Sequence, residues 1–262
     1  MQSKRRRRSA ASSDPKPTGT LRSETLAAFG QLLDNHAGEE VGLAAAVETL
    51  YAARYQARAL AAARKVLLEK VKAAHALGVV SVPGTPYLLK ETSPGRAQQY
   101  LAVPSNVAKS ANKPAWQRAH VAKSWAQVQP PVVAAARLQA AVTLDIPDVS
   151  RMSTLTLAAT AYREHPAWER LKKLYAEEKT AKERLEKIAA DHGWDGLPLT
   201  FADGWVIGLR REQYSSERLA EIEPEMFDRL AELKIKQFGP RVYVALPDED
   251  DEMGEIDEWD GD

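Results

Sequence analysis

The chain has no cysteine, which excludes a disulfide framework, a thiolate metal site and a thiol nucleophile. It also lacks any run near the eighteen or so uninterrupted apolar residues that a membrane span requires. Its basic opening leads into Ser, Asp, Pro and Gly rather than an apolar stretch, so no signal peptide is expected and the location expected is cytoplasmic. Equally missing are HExxH, a paired-carboxylate signature, a serine nucleophile elbow and a phosphate-cradling glycine loop. An enzyme would have to be of a kind that leaves no local motif, so the expectation is a protein that binds, with no cofactor and no metal.

Net charge is absent too, but the formal zero hides an asymmetry. From Met1 to Arg22 there are seven Lys or Arg against one Asp, whereas Asp248 to Asp262 holds ten acids and no base. Residues 23–145 carry thirteen bases against eight acids and residues 146–247 sixteen against seventeen, so only the first half of the body is basic. Its surplus sits in Lys90, Arg96, Lys109, Lys113, Arg118 and Lys123, a span whose only acid is Glu91.

What the chain does contain is the same unit twice. Leu68-Glu69-Lys70-Val71-Lys72-Ala73-Ala74-His75 matches Leu185-Glu186-Lys187-Ile188-Ala189-Ala190-Asp191-His192. Each scrap ends a long helical stretch. Gly42 to Leu77 has helix-forming composition without internal Gly or Pro, and Leu43, Val47, Leu50, Ala57, Ala61, Leu68 and Val71 follow three-four spacing, interrupted by Arg54 and Arg64. After Pro166 the second stripe runs through Trp168, Leu171, Leu174, Ala181, Leu185 and Ile188, with Glu178 its one polar exception. Gly78 and Gly193 stand where αL caps belong.

Beyond each helix come a turn, an apolar run (Tyr87-Leu88-Leu89, then Trp205-Val206-Ile207), a Pro-then-aromatic helical piece and a strand that stops at proline. The first turn is Pro83-Gly84-Thr85-Pro86, the second the hairpin signal Asp203-Gly204. Period-two runs beside long helical stripes predict an α+β fold of two similar units, each a long helix or helical hairpin followed by a small β element, with a modest core in each half. The expected divisions are a disordered basic arm at 1–22, units at 23–150 and 151–247, and a disordered acidic tail at 248–262. A short helix is expected from Ser23 to Gly38, and a connecting helix over Val132 to Val142.

Each chemical candidate has a plainer reading beside it. His75 and His192 occupy equivalent helix ends and would suit a duplicated metal or proton-transfer site, yet last-turn histidines also complement exposed carbonyls. Arg5, Arg6, Arg7 and Arg8 suit phosphate neutralisation or mere solubility. In the span from Lys90 to Lys123 the Lys and Arg residues are the expected DNA-contacting surface, while Trp116 and Trp125 match Phe227 and Val242 by position and are expected in the core. Met253, Ile256 and Trp259 recur at three-residue steps in the acidic tail. That pattern suits a segment that docks on a partner, one that competes with nucleic acid for the protein's own basic surface, or a solubilising tail.

The run Gly204-Trp205-Val206-Ile207-Gly208-Leu209-Arg210, then Phe227-Asp228-Arg229-Leu230 through Phe238, then Val242-Tyr243-Val244 resembles, in layout over residues 166–247, phage DNA-metabolism accessory proteins of the Mu Gam host-nuclease inhibitor family. The resemblance implies binding to double-stranded DNA ends, protection from exonucleases and dimerisation; no individual residue role carries over. The internal duplication departs from that family and would replace dimerisation by a pseudo-symmetric monomer. The partners expected are DNA and a DNA-processing protein such as a nuclease or recombinase, with no membrane. Alternatives in other classes are a regulator of a site-specific recombinase and an assembly protein whose long helices self-associate.

Overall fold

The computed structural model describes residues 43–142, 145–200 and 204–249. The basic arm, the helix expected from Ser23 and nearly all of the acidic tail lie outside the described residues. Within them the fold is α+β, with two long helices each followed by small strands.

The alanine-rich stripe from Leu43 forms α1 (Leu43–Ala76), which buries Leu43, Val47, Leu50, Leu60, Leu67 and Val71 along one face. The second stripe forms α6 (Ala167–Asp191), burying Trp168, Leu171, Leu174, Ala181 and Leu185. Gly78 and Gly193, at φ +83° and +66°, end both helices in the left-handed conformation that side chains disfavour. The two helices are antiparallel: Leu67 and Val71 near the end of α1 share a core with Trp168 and Leu171 at the start of α6, while Leu43 and Leu50 share another with Leu185 and Ala189. Their polar exceptions meet, since Arg54 Nε donates to Glu178 Oε1 at 2.6 Å.

The remaining elements are β1 (Leu88–Glu91), β2 (Gln98–Ala102), α2 (Ser105–Ala111), α3 (Lys113–Arg118), β3 (His120–Gln129), α4 (Val132–Ala140) and α5 (Leu155–Glu164) before α6. After it come β4 (Leu199–Thr200), β5 (Val206–Tyr214), α7 (Ser216–Ile222), α8 (Pro224–Leu230), β6 (Glu232–Lys236) and β7 (Val242–Ala245). The two halves repeat even in backbone detail. Asn112 ends α2 and begins α3 at φ −155°, ψ 94°, and Glu223 ends α7 and begins α8 at φ −143°, ψ 63°. Each precedes a helix with proline in its first turn, where a missing N–H costs nothing.

Sheet pairing is where expectation and structure diverge. Among the described residues, apart from the short β4–β5 pair, every pairing between strands joins the two halves: β1 to β7, β2 to β6 and β3 to β5, all antiparallel. The expected core in each half is therefore replaced by three cores built from both. One couples α1, α5, α6, β1 and β7; a second couples α1, α6, β3 and β5; a third joins Val103, Ala108, Ala115 and Ala119 to Leu219 and Met226. The physical reason is that each half offers strands without neighbours of its own, and unpaired backbone donors and acceptors must find partners elsewhere.

Candidate nucleic-acid interface

Two ribbons leave the base formed by α1 and α6. In the first, β1/β7 continues into β2/β6 across an irregular middle, where Thr92 N–H donates to Arg241 O and Gly95 N–H to Phe238 O, both at 2.9 Å. The second is β3/β5, with an irregularity between Ser124 and Gln127. Both run into a cap made of α2, α3, α7 and α8 around the third core. The first half climbs the first ribbon, crosses the cap and descends the second; the second half runs the opposite way. Base, ribbon, cap and ribbon thus form a closed circuit of chain.

The outer parts of the ribbons stand free. In a strand packed on a core, burial alternates from residue to residue. Here Gln98, Gln99, Tyr100 and Leu101 are all exposed, as are Ala122, Lys123 and Ser124, so both faces meet solvent. The strands of one ribbon do not pack extensively on those of the other.

Positive charge gathers on these ribbons. Residues 88–102, 120–130, 206–214 and 232–245 together hold eight Lys or Arg (Lys90, Arg96, Lys123, Arg210, Arg211, Lys234, Lys236, Arg241) against three Glu. Strand exchange places Lys123 directly opposite Arg211 and Lys236 opposite Gln98. Like charges facing each other across a ladder destabilise it and favour an anion nearby. Aromatic rings lie beside two of these cations and one of the cap: Arg211 over Trp125 at 5.1 Å, Lys236 over Phe238 at 5.2 Å, and Lys109 of α2 over Trp116 at 5.0 Å. An open concavity of about 600 Å³ is lined by Arg96, Gln98, Tyr100 and Glu217, where the first ribbon approaches the cap.

The six basic residues singled out in the sequence are dispersed along this circuit. Lys123 is exposed at mid-ribbon and Arg96 at the irregular middle, neither with an acidic partner among the described residues. Lys109 and Lys113 lie on the exposed side of α2 and α3. Arg118 is engaged by the Glu223 carboxylate across the cap, and Lys90 donates to the carbonyls of Pro247 and Glu249 at 3.0 and 2.5 Å. The cap itself is polarised: α2 and α3 carry Lys109, Lys113 and Arg118 without an acid, while α7 and α8 carry Glu217, Glu221, Glu225 and Asp228 against Arg218 and Arg229.

Trp116 and Trp125 are half-buried rather than core residues. Trp116 packs on the cap core and donates its Nε1–H to Ser105 Oγ at 2.9 Å. Arg5, Arg6, Arg7, Arg8, Met253, Ile256 and Trp259 lie outside the described residues. Sequence reasoning missed Lys234, Lys236, Arg211 and Arg241, because only strand exchange brings the charge-balanced second half onto the same ribbons. The signal available was the alternation of bases in Glu232-Leu233-Lys234-Ile235-Lys236.

The ribbon roots are held rigidly. Arg210 makes two bonds to the Glu186 carboxylate, at 2.6 and 2.7 Å, which hold its guanidinium charged beyond the ordinary range. Burial pushes the Tyr214 hydroxyl above its usual value, and it donates to Val103 O at 3.0 Å, tying the second ribbon to the end of the first. Among the described residues no cluster of three His, Cys, Asp or Glu is placed to hold a metal ion, and no helix is long and apolar enough to cross a membrane. Compared with family models, curated proteins and solved structures, the chain matches none.

Proposed function

We propose that the protein is a non-enzymatic DNA-binding accessory protein of the phage DNA-metabolism type, whose ribbons and basic half-cap hold the phosphate backbone. The carrying observation is the net positive charge of two ribbons, exposed on both faces in their outer parts, that join the helical base to the cap. Two-stranded ribbons exposed on both faces are marginal on their own, and leaving them exposed makes sense where a ligand supplies the missing face. Phosphates would satisfy the Lys123–Arg211 juxtaposition, and the adjoining aromatic rings tolerate any sequence. The layout resemblance to the Mu Gam family points the same way, and nuclease protection or modulation of recombination would follow from occupying DNA in this manner.

The test is a charge reversal at residues without an acidic partner among the described residues, Arg96→Glu, Lys123→Glu and Lys236→Glu together. Loss of three phosphate contacts flattens the salt dependence by about 2.7 units of logarithmic slope, at ~0.9 per contact on duplex DNA. The fold survives, since exposed charge changes cost about half a kcal/mol or less each. A folded triple variant with unaltered affinity and slope would move the reading to an assembly protein. Competition between linear and closed circular duplex then asks whether binding requires DNA ends.

A further inference from the structure

The first ribbon has two unlike faces. By alternation, Gln98, Tyr100, Lys234 and Lys236 lie on one, while Gln99, Leu101, Leu233 and Ile235 lie on the other, with Leu101 directly opposite Leu233 and Gln99 opposite Ile235. Leu101, Leu233 and Ile235 are 58, 59 and 62% exposed, an aliphatic stripe in the middle of a basic ribbon. Phosphate has nothing to offer such a stripe.

We infer that this stripe is the docking site of the chain's own acidic segment, Asp250 to Asp262, through Ile256 and Trp259. The segment starts in the right place. Glu249 is fixed on the first ribbon's root: its carboxylate is gripped by Arg163 and accepts the Leu246 N–H at 3.0 Å, and its carbonyl accepts from Lys90 of β1. It also reaches. Trp259 lies ten residues past Glu249, a span of about 33 Å when extended, and Ile235, opposite Gln99, lies nine residues along the ribbon from Lys90, about 30 Å at most. The chemistry is complementary, since the segment carries apolar side chains among eight acids and the ribbon carries its aliphatic stripe on one face with Lys234 and Lys236 on the face behind it. Tethering gives the pair a high effective concentration, so a weak contact suffices. Docked there, the acids lie across the thin ribbon from Lys234 and Lys236, within about a Debye length, and lower the positive potential that DNA meets. This regulation rests on the nucleic-acid reading above; the docking itself does not.

The absence of cysteine makes the docking directly testable in the full chain. Gln99→Cys with Glu258→Cys places one thiol beside Ile235 and one beside Trp259; Val133→Cys, at an 81% exposed position on α4, with Glu258→Cys is the control. Under mild oxidation the first pair is expected to close within one chain at least tenfold faster than the control, and Trp259→Ser added to it to erase the advantage. Equal rates overturn the docking, and so does disulfide formation only between chains, which assigns the stripe to a second copy. Deleting residues 250–262 is expected to tighten binding to a linear duplex several-fold at low salt and to change little at high salt. Preferential closure with no gain in DNA affinity on deletion overturns the regulation alone. If neither full nor shortened chain retains DNA, the nucleic-acid reading fails while the thiol pair still decides the docking.

Discussion

Arg54 and Glu178 are the two interruptions in otherwise apolar stripes, and their pairing at the centre of the antiparallel helix pair sets up a mutational cycle with unequal arms. Glu178 is 4% exposed, its Oε1 accepts from Arg54 Nε at 2.6 Å, and its Oε2 has no hydrogen-bond partner among the described residues. Arg54, with its side chain 19% exposed, also donates through Nη1 to Ala126 O of β3 at 2.5 Å, so it joins α1, α6 and the second ribbon. Replacing Arg54 by Leu leaves a buried carboxylate with neither oxygen bonded, and breaking a buried pair in this way costs about 3–5 kcal/mol. Replacing Glu178 by Leu leaves a guanidinium that keeps Ala126 O and some access to water, so the cost falls to about 1–3 kcal/mol. With both replaced, no charge is stranded and apolar volume is gained, which places the double variant within about 1 kcal/mol of the parent or above it.

Urea unfolding measures all four corners. At a slope of about 2–3 kcal/mol per molar, a 4 kcal/mol loss moves the Arg54→Leu midpoint down by more than about 1 M, and the double variant returns to the parental midpoint. A double variant as unstable as the sum of the singles would refute the reasoning, because additivity means that the two side chains do not share an interaction.

Other consequences are open to simpler measurements. Residues 43–150 and 151–249 expressed separately should each lack stable sheet by circular dichroism, and mixing should restore it, since the ribbons pair strands from opposite halves; a half that shows native strand signal alone contradicts the exchange. Asn112→Ala and Ser215→Ala remove the side-chain caps of α3 and α7, from Ala115 N–H at 3.1 Å and Arg218 N–H at 3.2 Å, and each should cost about 1 kcal/mol in a thermal or urea scan. The Leu246 N–H and Arg163 hold the Glu249 carboxyl below its ordinary value of 4.5. A depressed folded value stabilises above the unfolded one, so this clasp should be complete above about pH 5 and be lost as pH falls through the lowered value, read by amide exchange at Leu246.

Local signals were strong where a single residue dictates the backbone. Gly78 and Gly193 marked helix ends, Pro114 and Pro224 marked first turns, Pro130 and Pro247 marked strand ends, and the three-four stripes marked the faces of α1 and α6. The apolar runs at Leu88-Leu89 and Val206-Ile207 are strands, as their alternation implied. What the pattern does not encode is which strand pairs with which, because period-two alternation looks the same whether the neighbour is twenty residues away or, as for Leu88 and Ala245, far along the chain. The candidate site suffered from the same blindness. Charge counted along the sequence singled out the first half alone, whereas the ribbons take Lys234, Lys236, Arg211 and Arg241 from a half that is balanced overall. Trp116 and Trp125 were aligned with apolar residues and so looked buried; each instead lies half-exposed under a cation.

Strand exchange also explains why two similar halves share one chain. Each half contributes one side of each ribbon and two helices to the cap, so an isolated copy would expose unpaired edges and half a core, and would need a second copy to bury them. Two separate copies would close the circuit only at sufficient concentration, and would close it with two identical cap halves. Covalent linkage through the segment containing α4 makes closure intramolecular and independent of concentration. It also frees the halves to differ, and they have: α2 and α3 are wholly basic while α7 and α8 carry a surplus of acids, with Arg118 and Glu223 bonded where they meet. On the DNA-binding reading proposed above, this asymmetry would draw phosphate to one half of the cap and repel it from the other, giving a DNA that lay against the cap a preferred side.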